Sequence, residues 1–131
     1  MKEELTIGFV ATAISPYFSE EQQVRIKSEN HLKKIIAEYD AKLICFHKTI
    51  FSKEDSVEAE KFFKNKIDFL ILQTSSCSSG EQLYPLCNIT NKMGLWAVPD
   101  LENEGDVKLH SLVSVSHYLG IIKKILHEKK N

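Results

Sequence analysis

The stretch Ile67-Asp-Phe-Leu-Ile-Leu-Gln73 decides the fold of this chain, because it is a short, nearly continuous apolar run between polar residues. A run of this length and composition predicts a β-strand that is covered on both faces, as strands of parallel sheets are. Residues 5–12, 42–47 and 95–98 have the same character. A segment with helical spacing follows each of the four runs. The chain therefore predicts four consecutive β–α units.

Serine residues mark the predicted starts of the first three helices. The pairs with capping-box spacing are Ser19 with Gln22, Ser52 with Asp55, and Ser79 with Gln82. We expect the first helix to reach Asp40 and the last to run from Ser111 to about residue 130. The residues expected to face the core are Val24, Ile26, His31, Leu32, Ile35, Ile36 and Tyr39 in the first helix, Val57, Ala59, Phe62 and Phe63 in the second, Leu83 and Leu86 in the third, and Leu112, Val115, Leu119, Ile122 and Leu126 in the last.

Repeated β–α units with short connections predict an α/β fold with a parallel sheet and helices on both of its faces, because crossovers between parallel strands are right-handed. We predict a flavodoxin-like three-layer sandwich whose four strands have the order 2-1-3-4. At 131 residues the chain is long enough for one well-formed core. Residues 1–131 are therefore interpreted as a single domain.

The composition limits the classes of function. Charged residues make up 27% of the chain, the net charge is −1 and basic residues form no long block, which argues against a nucleic-acid partner. No segment approaches the roughly 20 apolar residues of a membrane span. Three cysteines lack metal-type spacing. The simplest interpretation is a cytoplasmic protein with reduced thiols, in which Cys45 and Cys87 are buried and inert.

A ligand site is expected where the strand order reverses, between the carboxyl ends of the first and third strands. The loops there carry hydroxyl, amide, phenol and thiol groups. The candidate substrate-binding residues are Ser15, Tyr17, Gln73, Thr74, Ser76 and Cys77. Such groups suit a polyol, because each sugar hydroxyl both donates and accepts a hydrogen bond. The alternative is that small polar residues simply suit a strand-to-helix turn.

Other chemistries have little support in the sequence. The glycine patterns of phosphate-binding loops are absent, and Pro16 removes a backbone N–H from the first β–α turn. A phosphoacceptor receiver domain needs acidic residues after the first strand and at the end of the third. This chain has Thr12 and Gln73 near those points, so a receiver domain is not favoured. His110 and His117 have no assigned third metal ligand, so packing or surface exposure is the preferred interpretation. A thiol enzyme using Cys77 stays open, although no partner histidine can be assigned.

One segment resembles a known family. It is Leu95-Trp-Ala-Val-Pro-Asp100, with Gly105, Leu109, Ser111 and Leu112 beyond it, and it is similar to a segment of the L-fucose/L-arabinose isomerase-like family. Residues 7–22 and 68–76 match further segments in the family's order. The resemblance implies a flavodoxin-like amino-terminal domain of a larger aldose–ketose isomerase. In that family Mn²⁺ is bound by later domains, so no cofactor is expected on this chain alone.

The resemblance also implies a role and partners. The loops at residues 15–17 and 74–77 would line a substrate pocket beside a catalytic isomerase-type domain or chain. No catalytic residue is expected on this chain, and self-association is left open. The alternative is a stand-alone protein- or ligand-binding module. One feature speaks for it: residues 14–17 lack the polar or basic side chain that is frequent there in the family. An exposed patch along Phe18, Leu83 and Tyr84 would support that alternative.

Overall fold

A computed structural model of the chain describes residues 4–14, 18–75, 79–98 and 111–130. Each predicted apolar run forms a strand close to its expected position. The elements are β1 (Leu5–Thr12), α1 (Phe18–Ile36), β2 (Ala41–Cys45), α2 (Lys53–Phe63), β3 (Phe69–Thr74), a 3₁₀ turn (Gly80–Gln82), α3 (Leu83–Leu86), β4 (Met93–Ala97) and α4 (Ser111–Lys130).

The four strands form one parallel sheet in the order β2-β1-β3-β4, which confirms the predicted α/β fold and strand order. Phe9 of β1 lies opposite Cys45 of β2 on one side and Ile71 of β3 on the other. Thr12 and Thr74 are paired at the carboxyl ends of β1 and β3. The strand order reverses between these two strands, so their ends mark the expected ligand-binding edge.

The helices are distributed unevenly between the two faces of the sheet. On one face, α2, α3 and α4 enclose the main core, whose largest fully buried side chains include Tyr118, Phe46, Phe63 and Ile50. On the other face, Leu32 of α1 packs in a smaller cluster with Phe9 and Ala11. Among the described helices, α1 alone contributes to that second cluster.

Of the three predicted helix caps, the one at Ser52 is confirmed. Its hydroxyl accepts the N–H of Asp55 at 3.2 Å, while the Asp55 carboxylate accepts the N–H of Phe51 at 3.0 Å and lies 3.0 Å from Nζ of Lys48. The cap at Ser79 is wrong, because its side chain makes no capping hydrogen bond. The side chain of Ser19 lies outside the described residues, and α1 begins one residue earlier, at Phe18.

Helix α1 differs from the prediction in length and in orientation. It ends at Ile36 rather than Asp40, because the N–H of Tyr39 bonds back to Ile36 in a tight turn. Val24, Leu32 and Ile36 are buried as predicted, but Ile26, His31, Ile35 and Tyr39 are exposed. Arg25 and Ser28 are buried instead. The residues at 24, 28, 32 and 36 are four apart, so a helix places them in one stripe against the sheet.

The last helix is also rotated relative to the prediction. Leu119 is 55% exposed, whereas Tyr118 is fully buried and its hydroxyl donates to the Ser79 carbonyl at 3.0 Å. Ile122 packs against the core as predicted. The side chains of Leu112, Val115 and Leu126 lie outside the described residues. In the other two helices the predicted Ala59, Phe63, Leu83 and Leu86 are buried, while Val57 and Phe62 are half-buried.

Strand β4 begins earlier than predicted and includes Gly94. Gly94 stands beside the aromatic ring of Phe69, and a Cβ at this position would lie only 3.1 Å from that ring. The glycine therefore leaves room for the Phe69 ring beside β4. This close approach explains why a glycine, which usually ends regular structure, occupies a strand here.

Candidate functional site

The candidate site lies at the carboxyl ends of β1 and β3. The N–H of Ser75 donates to the Thr12 carbonyl at 2.8 Å and closes this edge of the sheet. Gln73 and Thr74, two of the predicted ligand-binding residues, are here and are fully buried. The other four, Ser15, Tyr17, Ser76 and Cys77, lie outside the described residues. His110 also lies outside them.

Gln73 connects helix α1 to strand β3 through its side-chain amide. Its Nε2 donates to Oγ of Ser28 at 2.6 Å, and its Oε1 accepts from Oγ of Ser75 at 3.3 Å. All three residues are buried. Buried amides need such partners, because an unpaired one loses its hydration without compensation. Gln73 therefore holds α1 on the sheet, and its predicted contact with a ligand, like that of Thr74, stays a prediction.

Gln82 is the residue of this edge that the sequence interpretation missed. Its Nε2 donates to the Ala13 carbonyl at 3.1 Å, and its own backbone carbonyl accepts from Oγ of Ser56 at 2.6 Å. The residue is only 3% exposed. It therefore joins the end of β1, the 3₁₀ turn and helix α2. In the sequence, the capping interpretation of Ser79 assigned Gln82 to a local contact and concealed this longer one.

The side-chain oxygen of Gln82 is unusual in this edge. It is a buried polar atom without a hydrogen-bond partner within the described part of the chain. The Ala13 carbonyl fixes the orientation of the amide, since rotating it by half a turn would bring two oxygens together. An acceptor left unpaired in this way costs roughly 1–3 kcal/mol. A hydrogen-bond donor that reached Oε1 of Gln82 would recover part of that free energy.

A buried arginine lies on the other side of the same edge. Nε of Arg25 donates to Oγ1 of Thr49 at 3.1 Å, and its Nη1 forms an ion pair with Glu29 at 2.7 Å. The two charged side chains are only 11% and 14% exposed. Buried charges require such pairing. The arginine therefore attaches α1 to the segment that follows β2.

The prediction that both described thiols are buried is confirmed for Cys87 and only in part for Cys45. Cys87 is buried, and Cys45 is half-buried. Burial, with a smaller contribution from the negative charge of Glu29, raises the pKa of the Cys45 thiol to about 11. Within the described residues, no three His, Cys, Asp or Glu side chains gather into a group that could bind a metal ion.

A cavity of about 400 Å³ lies away from the carboxyl edge, between α2, α3 and α4. Its lining includes Lys53, Glu60, Tyr84 and Ile125. Tyr84 is 53% exposed, but Leu83 beside it is fully buried. The buried Leu83 therefore does not contribute to an exposed patch along Phe18, Leu83 and Tyr84, which would have supported the binding-module alternative, and the side chain of Phe18 lies outside the described residues. Gln82 is not among the residues that line this cavity.

Comparisons with known proteins leave the family question open. No protein-family model matches the chain, and no curated protein matches it either. The resemblance to sugar isomerases therefore stays a prediction. Among the described helices, none is both long enough and apolar enough to cross a membrane.

Proposed function

We propose that this chain is a non-catalytic α/β domain that lines a polyol pocket beside a catalytic domain or chain of the aldose–ketose isomerase type. The observation that carries the proposal is the buried, unpaired Oε1 of Gln82 at the edge where the strand order reverses. Open α/β sheets bind ligands at this edge. In the proposal this buried acceptor meets a hydroxyl of the ligand at the edge where a ligand is expected.

The chemistry of the acceptor favours a hydroxyl-bearing ligand. A sugar hydroxyl can donate to Oε1 of Gln82 and still accept a hydrogen bond from another group. The amide is held in place from two sides, by the Ala13 carbonyl through Nε2 and by Ser56 through the backbone of Gln82. A preorganised acceptor loses little entropy when the ligand binds.

In the proposal, this chain and its catalytic partner have different roles in the reaction. Isomerisation of an aldose requires a base for the proton and a group that polarises the substrate oxygens. In the proposal the partner supplies both of these, together with the Mn²⁺ that the family resemblance implies. The residues of this chain orient one hydroxyl of the substrate and exclude water from one side of the pocket.

The test follows the side-chain NH₂ signals of Gln82 by nuclear magnetic resonance while L-arabinose or L-fucose is added. We expect a saturable shift of these signals and of the Ala13 and Ser75 backbone amides. Gln82→Met keeps the length of the side chain but removes the acceptor, so the shifts at Ala13 and Ser75 should disappear. The matched control is Gln23→Met on the exposed surface of α1, which should leave them unchanged.

Two results would overturn the proposal. The first is the absence of any shift at saturating concentrations of both sugars in the folded wild-type chain. The second is conversion of an aldose to a ketose by the purified chain without a partner, which would refute the non-catalytic assignment. The mass of the native protein and of any polypeptide that purifies with it would identify the catalytic partner.

A second candidate function is an interaction module without a link to isomerases. The observation that favours it is that the described helices cover the α1 face of the sheet only in part. That face is independent of Gln82.

A further inference from the structure

Part of one sheet face is not covered by any of the described helices. The register places Phe69, Ile71, Gly94 and Trp96, from β3 and β4, on the same face as Phe9 of β1. We call these four residues the open face. Helices α2, α3 and α4 pack on the opposite face, while α1 lies over β1 and β2.

The side chains of the open face are apolar yet incompletely buried. Phe69, Ile71 and Trp96 are each half-buried, and Trp96 touches the edge of the core at Phe9, with ring centroids 6.2 Å apart. Leu5, which lies on the same side of β1 as Phe9, is 46% exposed. Parallel strands are normally covered on both faces. A contiguous apolar area of this kind indicates an interaction surface.

The dimensions of the open face fit one helix. Two neighbouring strands are about 5 Å apart, and a helix with its side chains is about 10 Å wide, so a single helix covers two strands. Strand β3 has 6 residues. At about 3.3 Å per residue it is roughly 20 Å long, which corresponds to about 13 helical residues.

The exposed side chains that the structure describes on the wall that α1 forms beside the open face are mainly basic. Ser28 contacts Gln73 of β3, whereas Arg25 contacts Thr49 beyond β2, and these contacts show which side of α1 faces β3. Three exposed residues share that side and form one row, because they are four and three positions apart: they are Lys27, His31 and Lys34. An acidic flank on an incoming helix would complement this row.

We propose that the open face binds an amphipathic helix of a different protein, with its apolar stripe on Ile71 and Trp96 and an acidic flank beside Lys27 and Lys34. A second copy that docked through the described, exposed Leu119 of α4 would bring Lys123 against Lys27 and Lys34 with like charge. The exposed Leu119 of α4 has Lys123 and Lys124 as neighbours on its helix. This inference does not depend on the proposed sugar site.

The test uses Trp96, the only tryptophan of the chain, as a fluorescent reporter. The probe is a synthetic helical peptide of about 16 residues with leucines on one face and glutamates along both flanks. We expect it to shift the Trp96 emission to shorter wavelength as the indole is buried. A peptide with the same leucines and lysine flanks should bind roughly tenfold more weakly or worse.

Charge reversal at exposed lysines tests whether the peptide binds beside α1 and should not destabilise the fold. The double variant Lys27→Glu with Lys34→Glu changes two exposed residues and should reverse the preference, so that the lysine-flanked peptide binds more tightly. The matched control reverses Lys123 and Lys124, which are equally exposed but lie on α4, and should leave both affinities unchanged.

Three results of the peptide experiments would overturn the proposal. They are no emission change with either peptide, equal affinities for the two peptides in the wild-type chain, and an equal effect of the α4 control. Sedimentation that shows a dimer with Trp96 shielded would also overturn it, because the occupant would then be a second copy.

Discussion

Replacing Gln73 by methionine should destabilise the domain although the new side chain has nearly the same shape. Gln73 makes two buried hydrogen bonds, to Ser28 at 2.6 Å and from Ser75 at 3.3 Å. Each is worth roughly 1 kcal/mol net, and the serine hydroxyls left behind lose a partner as well. We expect the free energy of unfolding to fall by about 2–3 kcal/mol. A domain of this size typically has only about 5–15 kcal/mol in total.

The assay is a double-mutant cycle with Ser28→Ala, measured by urea unfolding and circular dichroism. Ser28→Ala alone should cost about 1–2 kcal/mol, because it leaves a buried N–H of Gln73 unpaired. The double variant should cost less than the sum of the single variants by about 1 kcal/mol, since the shared bond is lost only once. Gln23→Met, the same chemical change on the exposed surface of α1, should stay within about 0.5 kcal/mol of the wild type.

The cycle also separates the two interpretations of Gln73. If the single effects add to within about 0.3 kcal/mol, the side chains do not depend on each other and the structural role is refuted. If Gln73→Met leaves stability unchanged, the amide is not committed to the fold. It would then be free to bind a ligand, as the sequence interpretation proposed.

Three further predictions concern other parts of the molecule. Gly8→Ala should lower the free energy of unfolding by about 2 kcal/mol, because the added Cβ would lie 2.6 Å from a side-chain atom of Ile67. Gly120→Ala should raise it by about 1 kcal/mol, because nothing lies within 4 Å of the added Cβ and alanine favours the helix. Thermal unfolding measures both changes. Burial raises the pKa of Asp55, but the hydrogen bond from the Phe51 N–H and the nearby Lys48 ammonium outweigh it and hold the pKa below its ordinary value. Stability from Asp55 should therefore be present at neutral pH and be lost as the pH falls through this lowered pKa, and Asp55→Asn should lose that pH dependence in acid titrations of unfolding. Because the pKa of Cys45 is raised to about 11, iodoacetamide should label it at pH 8 much more slowly in the folded than in the urea-unfolded chain, as mass spectrometry can show; equal rates would contradict its burial.

The strands and their order could be predicted because their information is local and redundant. Each run of apolar β-forming residues is separated from the next by a helical segment, and the handedness of the crossovers leaves few topologies. The predicted and observed bounds of β1, at residues 5–12, are the same. The predicted start of β4 was wrong, because the contact with Phe69 that accounts for Gly94 within the strand is not visible in the sequence.

The orientation of the helices was harder to predict, for a physical reason. Apolar residues occur on more than one side of α1 and α4, so hydrophobic spacing alone does not choose a face. In α1 the choice is made by polar contacts, as Arg25 and Ser28 turn inward to meet Thr49 and Gln73. In α4 the hydroxyl of Tyr118 reaches the Ser79 carbonyl and leaves Leu119 exposed.

The candidate site was predicted in position but only partly in composition. The strand order identified the edge between β1 and β3, and Gln73 and Thr74 lie there. Gln82 was missed because its contact with Ala13 joins residues that are 69 positions apart. A serine three positions before a glutamine suits a local cap equally well. Only the packed turn shows that the glutamine bonds across the edge instead.

The open face follows from the same strand order that predicts the ligand-binding edge. A right-handed crossover that moves along the sheet in one direction puts its helix on one face, and a crossover in the opposite direction puts it on the other. Only the connection from β1 to β2 runs backwards in the order β2-β1-β3-β4, so α1 is separated from α2 and α3. Helix α4 packs on the same face as α2 and α3, where Tyr118 is part of the main core. Among the described helices, none therefore lies over the apolar residues of β3 and β4 on the α1 side, and this is the surface on which we propose that a partner helix binds.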